Sequence, residues 1–236
     1  MDQPLILEIK GNSLDDGPGI RSVVFFKGCP ISCIWCHNPE SKNPYSELSY
    51  DASKCINCGE CQKVCTINAI AGYKTIDIDR KKCNLCFACV DVCPSKALTR
   101  VGFSMSVNEI TERVLKDKEF YNVSGGGVTL SGGEPTMFPV FIGQLLSKLK
   151  ENKIHTLLET CGQFKLSLIK KHILPFIDLI YYDLKLIDSD RHRKYCGVSN
   201  HNILGNFKSL YGLSQKMDFI LIPRTPLIPD ITDTEE

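Results

Sequence analysis

Eleven of the thirteen cysteines lie between Cys29 and Cys93, and their spacing sorts them into three groups. Cys29, Cys33 and Cys36, in GCPISCIWCHNPE, follow C-x3-C-x2-C with no fourth cysteine beside them. Structural zinc sites and iron–sulfur clusters ordinarily take four protein ligands. Three thiolates on a 4Fe–4S cube leave one iron open, and an open coordination position is how a metal centre admits a reactant. The missing ligand is therefore itself a signal of chemistry. Cys161 or Cys196 as a fourth ligand would close the site. Neither belongs to a ligand-spaced pair, and both read as small buried residues. The other two groups are complete. Cys55, Cys58, Cys61 and Cys65 follow C-x2-C-x2-C-x3-C, and so do Cys83, Cys86, Cys89 and Cys93, with Pro94 after the last. In runs of this spacing the fourth cysteine ligates the other cluster. Cys55, Cys58, Cys61 and Cys93 are thus assigned to one 4Fe–4S cluster, and Cys83, Cys86, Cys89 and Cys65 to a second. Thr66 stands where proline is usual, a departure that touches no ligand. A pair of zinc knuckles is the alternative, disfavoured by two full four-cysteine runs, eight ligands in all. Two neighbouring clusters serve electron transfer, or persist as a structural relic.

The elements that must position these groups follow an α/β rhythm. SVVFFK, residues 22–27, reads as a first strand running into the Cys29 loop. Residues 41–50, with Pro44, read as a connector. After residue 100, SVNEITERVLKDKEF reads as a helix opened by a Ser106-x-x-Glu109 capping box. GGGVTLSGGEP, KIHTLLETCG, DLIYYDLK and MDFILIPRTPLIP read as strands, with FPVFIGQLLSKLK and FKLSLIKKHI as helices between them. Strand, helix, strand at this pitch predicts a parallel sheet curved into a whole or partial TIM-like (βα) barrel. Cys29, Glu134, Glu159, Asp183, Lys185 and Arg224 fall near the strand ends, where such barrels place active sites. The expected organisation is a barrel over residues 1–48 and 100–236, interrupted by an α+β subdomain over 49–99 that carries the repeat. A formal net charge of +1 leaves no electrostatic footprint for nucleic acid. No secretory signal and no apolar run near ~18 residues is present, so a cytoplasmic protein off the membrane is expected.

C-x3-C-x2-C directly after a first strand resembles the signature of radical S-adenosylmethionine enzymes. SLDDGPGIRSVVFFKGCPISCIWCHNPES, YNVSGGGVTLSGGEPTMFP, HTLLETCG, IDLIYYDLK, YCGVSNHNIL and IPRTPLIPD together are similar to the activating enzymes of glycyl radical enzymes. The repeat is similar to the bacterial ferredoxin-like insert of the longer activases. The resemblance implies that the open iron binds the amino and carboxylate groups of S-adenosylmethionine. One electron then cleaves the sulfonium, and the 5′-deoxyadenosyl radical takes a hydrogen atom from a glycine of a partner glycyl radical enzyme. It implies three 4Fe–4S clusters, with flavodoxin or ferredoxin as reductant. It places Trp35, Cys36 and His37 on the adenine side of the cofactor, with core packing as the alternative for Trp35. It places Gly132, Gly133 and Glu134 at the methionine amino group, and Asp183, Leu184 and Lys185 along the cofactor. A monovalent cation is implied near Glu159, Thr160 and Asp183, with a surface salt bridge as the alternative. Asp16 and Arg224 match positions near the docked glycyl loop, or are a tight turn and a solvated arginine. The family's barrel continues past residues 219–224 with a strand ending in a histidine and a closing helix. The sequence ends at Glu236 without them, so a C-terminally incomplete barrel is expected. A radical enzyme acting on a small molecule, and a non-catalytic iron–sulfur carrier or inactive fragment, are the rival readings.

Overall fold

The computed structural model describes residues 3–72 and 75–233. The chain separates into two compact units, residues 1–44 with 104–236, and residues 45–103.

The larger unit is mixed α/β around a central, mostly parallel sheet. Its elements in chain order are β1 (Leu5–Ser13), β2 (Arg21–Phe26), α1 (Val107–Leu115), α2 (Lys118–Ser124), β3 (Gly127–Gly132), α3 (Pro139–Glu151), β4 (His155–Thr160), α4 (Leu166–His172), β5 (Leu179–Asp183), α5 (Ser189–Cys196), α6 (His201–Ser214) and β6 (Ile220–Arg224). The strands lie in the order β6-β5-β4-β3-β2-β1. Pairing is parallel from β2 to β6, and β1 runs antiparallel to β2. SVVFFK is thus the second strand. LILEIKGNS precedes it as a strand that the sequence reading did not identify; its apolar residues, Leu5, Ile6, Leu7 and Ile9, fill only its first half, and Lys10, Asn12 and Ser13 follow.

Side chains alternate across the sheet, so its two faces have different tasks. Val24, Phe26, Val128, Leu130, Leu158, Ile180 and Tyr182 point to the helices, where Ile142, Leu145, Leu146, Leu149 and Ile169 meet them in one buried core. Thr129 and Ser131 of β3, Glu159 of β4, Tyr181 and Asp183 of β5 and Arg224 of β6 occupy the alternate positions. The Ser106–Glu109 capping box forms as expected: the Ser106 hydroxyl accepts from the Glu109 amide, and the Glu109 carboxylate accepts from the Ser106 amide. The helix does not continue to Phe120. It stops at Lys116 and restarts at Lys118, because the Asp117 carboxylate accepts a 2.6 Å hydrogen bond from the Ser22 hydroxyl of β2. A strand contact overrides local helix propensity there.

The smaller unit pairs Glu47–Tyr50 with Leu98–Val101 and Ile70–Ala71 with Asp77–Ile78, both antiparallel. Residues 47–50 therefore form a strand within the segment read as a connector; buried Leu48, with Tyr50 beside it, joins Leu98 in one core and fixes them. Two short helices, Glu60–Lys63 and Ala88–Asp91, close a core of Leu48, Cys61, Ile70, Ile78, Cys89 and Leu98. The internal repeat is written into the backbone. Left-handed residues Asn57, Gly59 and Asn68 recur 28 positions later as Leu85, Phe87 and Lys96. Among the described residues no helix is long and apolar enough to cross a membrane.

Leu146 is fully buried between α3 and the sheet. Leu146→Ala should lower unfolding free energy by about 2–5 kcal/mol. A urea titration followed by circular dichroism would measure the loss, and an unchanged midpoint would contradict the packing described.

Candidate active site

The cysteine loop after β2 is held by backbone on three sides. Gly28 and Cys29 N–H groups donate to the carbonyls of Ser41 at 2.6 Å and Lys42 at 3.0 Å, closing the loop on itself. The Gly28 carbonyl accepts from the Glu134 N–H at 2.7 Å, fixing the loop to the end of β3. Ser32 and Ile34 donate to the carbonyls of Cys196 at 2.8 Å and Tyr195 at 3.0 Å, fixing it to the end of α5. The approach at β3 requires glycine: a Cβ on Gly133 would lie 2.1 Å from the Gly28 carbonyl oxygen.

Behind this junction lies Glu134, with no exposed surface. Its carboxylate accepts from the Thr136 N–H and hydroxyl at 3.2 and 2.6 Å, the Thr160 hydroxyl at 2.8 Å and the Cys161 N–H at 2.6 Å. It thus joins the end of β3 to the turn after β4.

In front lies a cavity of about 560 Å³. Cys29, Cys33, Trp35, Cys36 and His37 line one side, Gly132 and Gly133 another, and Glu159, Thr160, Asp183, Lys185 and Arg224 the rest. Glu134 and Leu184 stand outside this lining; the Leu184 side chain packs toward the helix core, while its N–H donates to the Arg224 carbonyl at 2.8 Å. Asp16 also lies outside it. Its carbonyl accepts from the Thr129 hydroxyl at 2.7 Å, two residues before Ser131 on the cavity face of β3. Trp35 both lines the cavity and packs on Tyr195, with ring centroids 6.3 Å apart.

A continuous charged row crosses the strand ends. The Ser131 hydroxyl donates to Glu159, the Arg224 guanidinium bridges Glu159 at 2.6 Å and Asp183 at 3.1 Å, and Lys185 donates to Asp183 at 3.0 Å. Arg224 also lies 4.6 Å over the Tyr181 ring. Burial works against the Arg224 charge, but Glu159 and Asp183 outweigh it and raise its pKa. The same holds at Lys185: desolvation opposes the ammonium, while Asp183 and the Cys33 sulfur raise its pKa above the ordinary value. Arg224 is therefore an anchored member of the site. Thr160 faces away from the carboxylate pair, its hydroxyl committed to Glu134. Alternation along β5 from Asp183 gives Tyr181, and the parallel register adds Ser131, so both were accessible to a register argument that the sequence reading did not make.

All thirteen cysteines are free thiols. Cys33 is brought down to about 7, chiefly by a hydrogen bond from Cys196, with Lys185 and Lys42 adding to it against desolvation. Cys29 is lowered first by its bond from Cys161. Cys161 and Cys196 are buried, as read, but they sit against the motif cysteines in one small cluster, a placement with no signal in the spacing. Three thiols of this kind around an open cavity, without a fourth motif cysteine, form a donor set that fits a 4Fe–4S cluster with one free iron. In the smaller unit, Cys55, Cys58, Cys61 and Cys93 line one hollow, and Cys65, Cys83, Cys86 and Cys89 line another. Each hollow offers four sulfurs, a donor set that also fits a cluster.

Comparison with known proteins gives two family models: a 4Fe–4S dicluster domain matching residues 54–97, and a 4Fe–4S single cluster domain matching residues 15–72. The isethionate sulfite-lyase activating enzyme of Oleidesulfovibrio alaskensis is 42% identical across 98% of this chain and 76% of its own length. The trans-4-hydroxy-L-proline dehydratase activating enzyme of Clostridioides difficile is 44% identical across 99% of this chain and 76% of its own. The benzylsuccinate synthase activating enzyme of Thauera aromatica is 40% identical across 99% and 71%. Among solved structures, a domain of a pyruvate-formate lyase-activating enzyme from Bacteroides vulgatus matches 47% of this chain and 66% of its own, at 32% identity and a TM-score of 0.42.

Glu134→Ala would strand the donors that converge on the buried carboxylate, at about 1–3 kcal/mol for each one left unpaired. A drop of at least ~2 kcal/mol in unfolding free energy is expected, with a smaller drop for Glu134→Gln, which keeps one acceptor oxygen. Chemical denaturation of both chains measures it; equal stability of Glu134→Ala and the unsubstituted protein would refute the bridging role.

Proposed function

The chain belongs to the activating enzymes of glycyl radical enzymes, within the radical S-adenosylmethionine superfamily, and from this premise we propose how its residues serve that activity. A reduced 4Fe–4S cluster and S-adenosylmethionine, when bound, supply one-electron cleavage of the sulfonium, giving methionine and a 5′-deoxyadenosyl radical that removes a hydrogen atom from the α-carbon of a partner's glycine. The observation that carries the reading is the convergence of Cys29, Cys33, Cys36, Gly132, Gly133, Asp183 and Lys185 on one cavity.

Cys29, Cys33 and Cys36 hold the catalytic cluster by three irons. Lys185, kept charged by Asp183, meets the methionine carboxylate. The Gly132–Gly133 backbone meets the amino group, since the Glu134 carboxylate is spent on framework hydrogen bonds. Trp35 and His37 line the adenine side, and Leu184 contributes through its backbone. A monovalent cation at Glu159 and Asp183 would share both carboxylates with Arg224. Arg224, on the cavity face, and Asp16, outside the lining, are read as lying near the docked glycine-bearing loop of the partner.

The larger unit, residues 1–44 and 104–236, is read as a partial barrel, and the smaller, residues 45–103, as a ferredoxin-like insert, a few residues wider at each end than the 49–99 expected from the sequence. The two four-sulfur hollows support two further clusters there, which pass electrons from flavodoxin or ferredoxin to the catalytic cluster. Cys58 and Cys86 are the exposed members of the two sets and mark where electrons enter. A cytoplasmic setting, where thiols stay reduced, suits such a set of free cysteines.

The first experiment is release of 5′-deoxyadenosine by the anaerobically reconstituted, reduced protein given S-adenosylmethionine. Release should depend on Cys33 and vanish in Cys33→Ala. A well-loaded protein that releases nothing would favour the non-catalytic carrier, and turnover of a small molecule without any partner would favour the other rival. Lys185→Met should weaken S-adenosylmethionine binding about tenfold, the loss of ~1.4 kcal/mol from one charge-assisted contact. Calorimetric titration reads this directly, and unaltered affinity would remove Lys185 from the cofactor. Replacing Cys83 and Cys86 with alanine should slow activation driven by a protein reductant while sparing the catalytic cluster. Equal rates in that chain would eliminate the relay.

A further inference from the structure

The two four-sulfur hollows of the smaller unit come from one repeat, so a position in one copy has its counterpart 28 residues away in the other. The backbone takes the same left-handed turns in both copies. The side chains beside the sulfurs differ. In the hollow of Cys55, Cys58, Cys61 and Cys93, the Asn57 side-chain amide lies 3.7 Å from the Cys55 sulfur, and the Ser95 hydroxyl lies 3.8 Å from the Cys93 sulfur. Their counterparts are Leu85 and Ile67, and both line the other hollow. Each of these two is 37% exposed, so most of its surface is turned from water. Asn84 also lines the second hollow, but its carboxamide oxygen accepts the Cys86 N–H at 3.3 Å. A backbone donor serves that hollow, the Ala69 N–H on the Cys65 sulfur at 3.2 Å, and Ala97 holds the matching position after Cys93.

We propose that Asn57 and Ser95 hold the cluster of Cys55, Cys58, Cys61 and Cys93 at a higher reduction potential than the cluster of Cys65, Cys83, Cys86 and Cys89. The inference rests on the reading of these eight cysteines as ligands of two 4Fe–4S clusters. A ligated sulfur carries no hydrogen and can only accept. The Ser95 hydroxyl then donates to it, and the Asn57 amide, an acceptor for the free thiol, turns its NH2 group to the same place. Reduction adds one negative charge to a cluster. Donors at its sulfurs and nearby water stabilise that charge, whereas apolar side chains such as Leu85 and Ile67 leave it less well compensated. Arg100, over the ring of Phe87 beside the second hollow, works against the difference. Its guanidinium is exposed, however, and donates to the Ser46 hydroxyl and the Gly102 carbonyl, so water screens it, whereas the two donors touch their sulfurs directly. A protein reductant that gives up one electron thus leaves it on the first cluster, whether it enters beside Cys58 or Cys86.

The test exchanges residues between the two copies in the full chain, reconstituted anaerobically with all its clusters. Asn57→Leu with Ser95→Ile gives the first hollow the side chains of the second, and Leu85→Asn with Ile67→Ser does the reverse. The turn accepts either residue, since Asn57 and Leu85 already share one left-handed conformation, at φ 56° and 57°. Iron content is measured, and the paramagnetic signals that S-adenosylmethionine leaves unchanged are followed through a redox titration. The unsubstituted protein should reduce these two clusters at separate midpoints. In the first exchange the upper midpoint should fall: at the potential where that cluster was half reduced, the reduced-to-oxidised ratio should drop about three- to tenfold, tenfold being 59 mV for one electron. The reverse exchange should raise the lower midpoint by a similar amount. Coincident midpoints in the unsubstituted protein, or an upper midpoint unmoved by the first exchange, would overturn the proposal. Should the first exchange cost the chain its iron, the reverse exchange decides, and an unmoved lower midpoint there overturns it equally. An unsubstituted protein that takes up zinc in place of iron, or that shows no signal besides the one S-adenosylmethionine alters, would instead bring down the two-cluster reading beneath it.

Discussion

The Glu134 carboxylate is the interaction on which the site depends. It is wholly buried, and it receives hydrogen bonds from both sides of the junction between β3 and β4. Its own N–H reaches the Gly28 carbonyl at the head of the cysteine loop. A buried charge is tolerated only when its lone pairs are satisfied, so this group forces the neighbouring turns into one arrangement. The Gly133 contact with Gly28 is the steric counterpart: the two segments approach so closely that any side chain would separate them. Sulfur positions in the cavity follow from this framework, since Cys29 adjoins Gly28 and Cys161 hangs from Glu134.

Much of this was legible in the sequence because it is local. Cysteine spacing gave the three groups, and the alternation and turn chemistry of residues 127–132, 155–160 and 179–183 gave strands ending where the chemical residues lie. The Ser106–Glu109 box is a four-residue signal and survived intact. Features fixed by distant contacts were not legible. Asp117 breaks a helix for the sake of Ser22, and Arg224 joins Glu159 across 65 positions of sequence. The partners of Cys161 and Cys196 belong to the same class, because spacing that marks a ligand says nothing of a neighbour delivered by another element.

The smaller unit shows the opposite case, in which sequence periodicity and backbone agree across a 28-residue offset. The two copies do not use the same residues to achieve it. Gly59 takes its left-handed conformation without a side-chain penalty, whereas Phe87 holds the equivalent one with its ring under the Arg100 guanidinium, 4.7 Å from its centroid. The hollows nonetheless present the same number of sulfurs, each taking three from one copy and one from the other. Neither half could present a complete set alone, which binds the copies into one folding unit.

The charged row at the strand ends carries a consequence for how a cofactor arrives. Glu159 and Asp183 are matched in number and contact by Arg224 and Lys185, so the rim as a whole is electroneutral. With a formal net charge of +1 on the whole chain, these four side chains add little long-range field of their own to draw in a sulfonium or to repel one. The row then acts at short range, by replacement of partners, as each incoming charged group substitutes for one already in place. Such an exchange conserves the number of ion pairs in the row, and it leaves discrimination to the fit of the molecule against sulfur, glycine backbone and tryptophan.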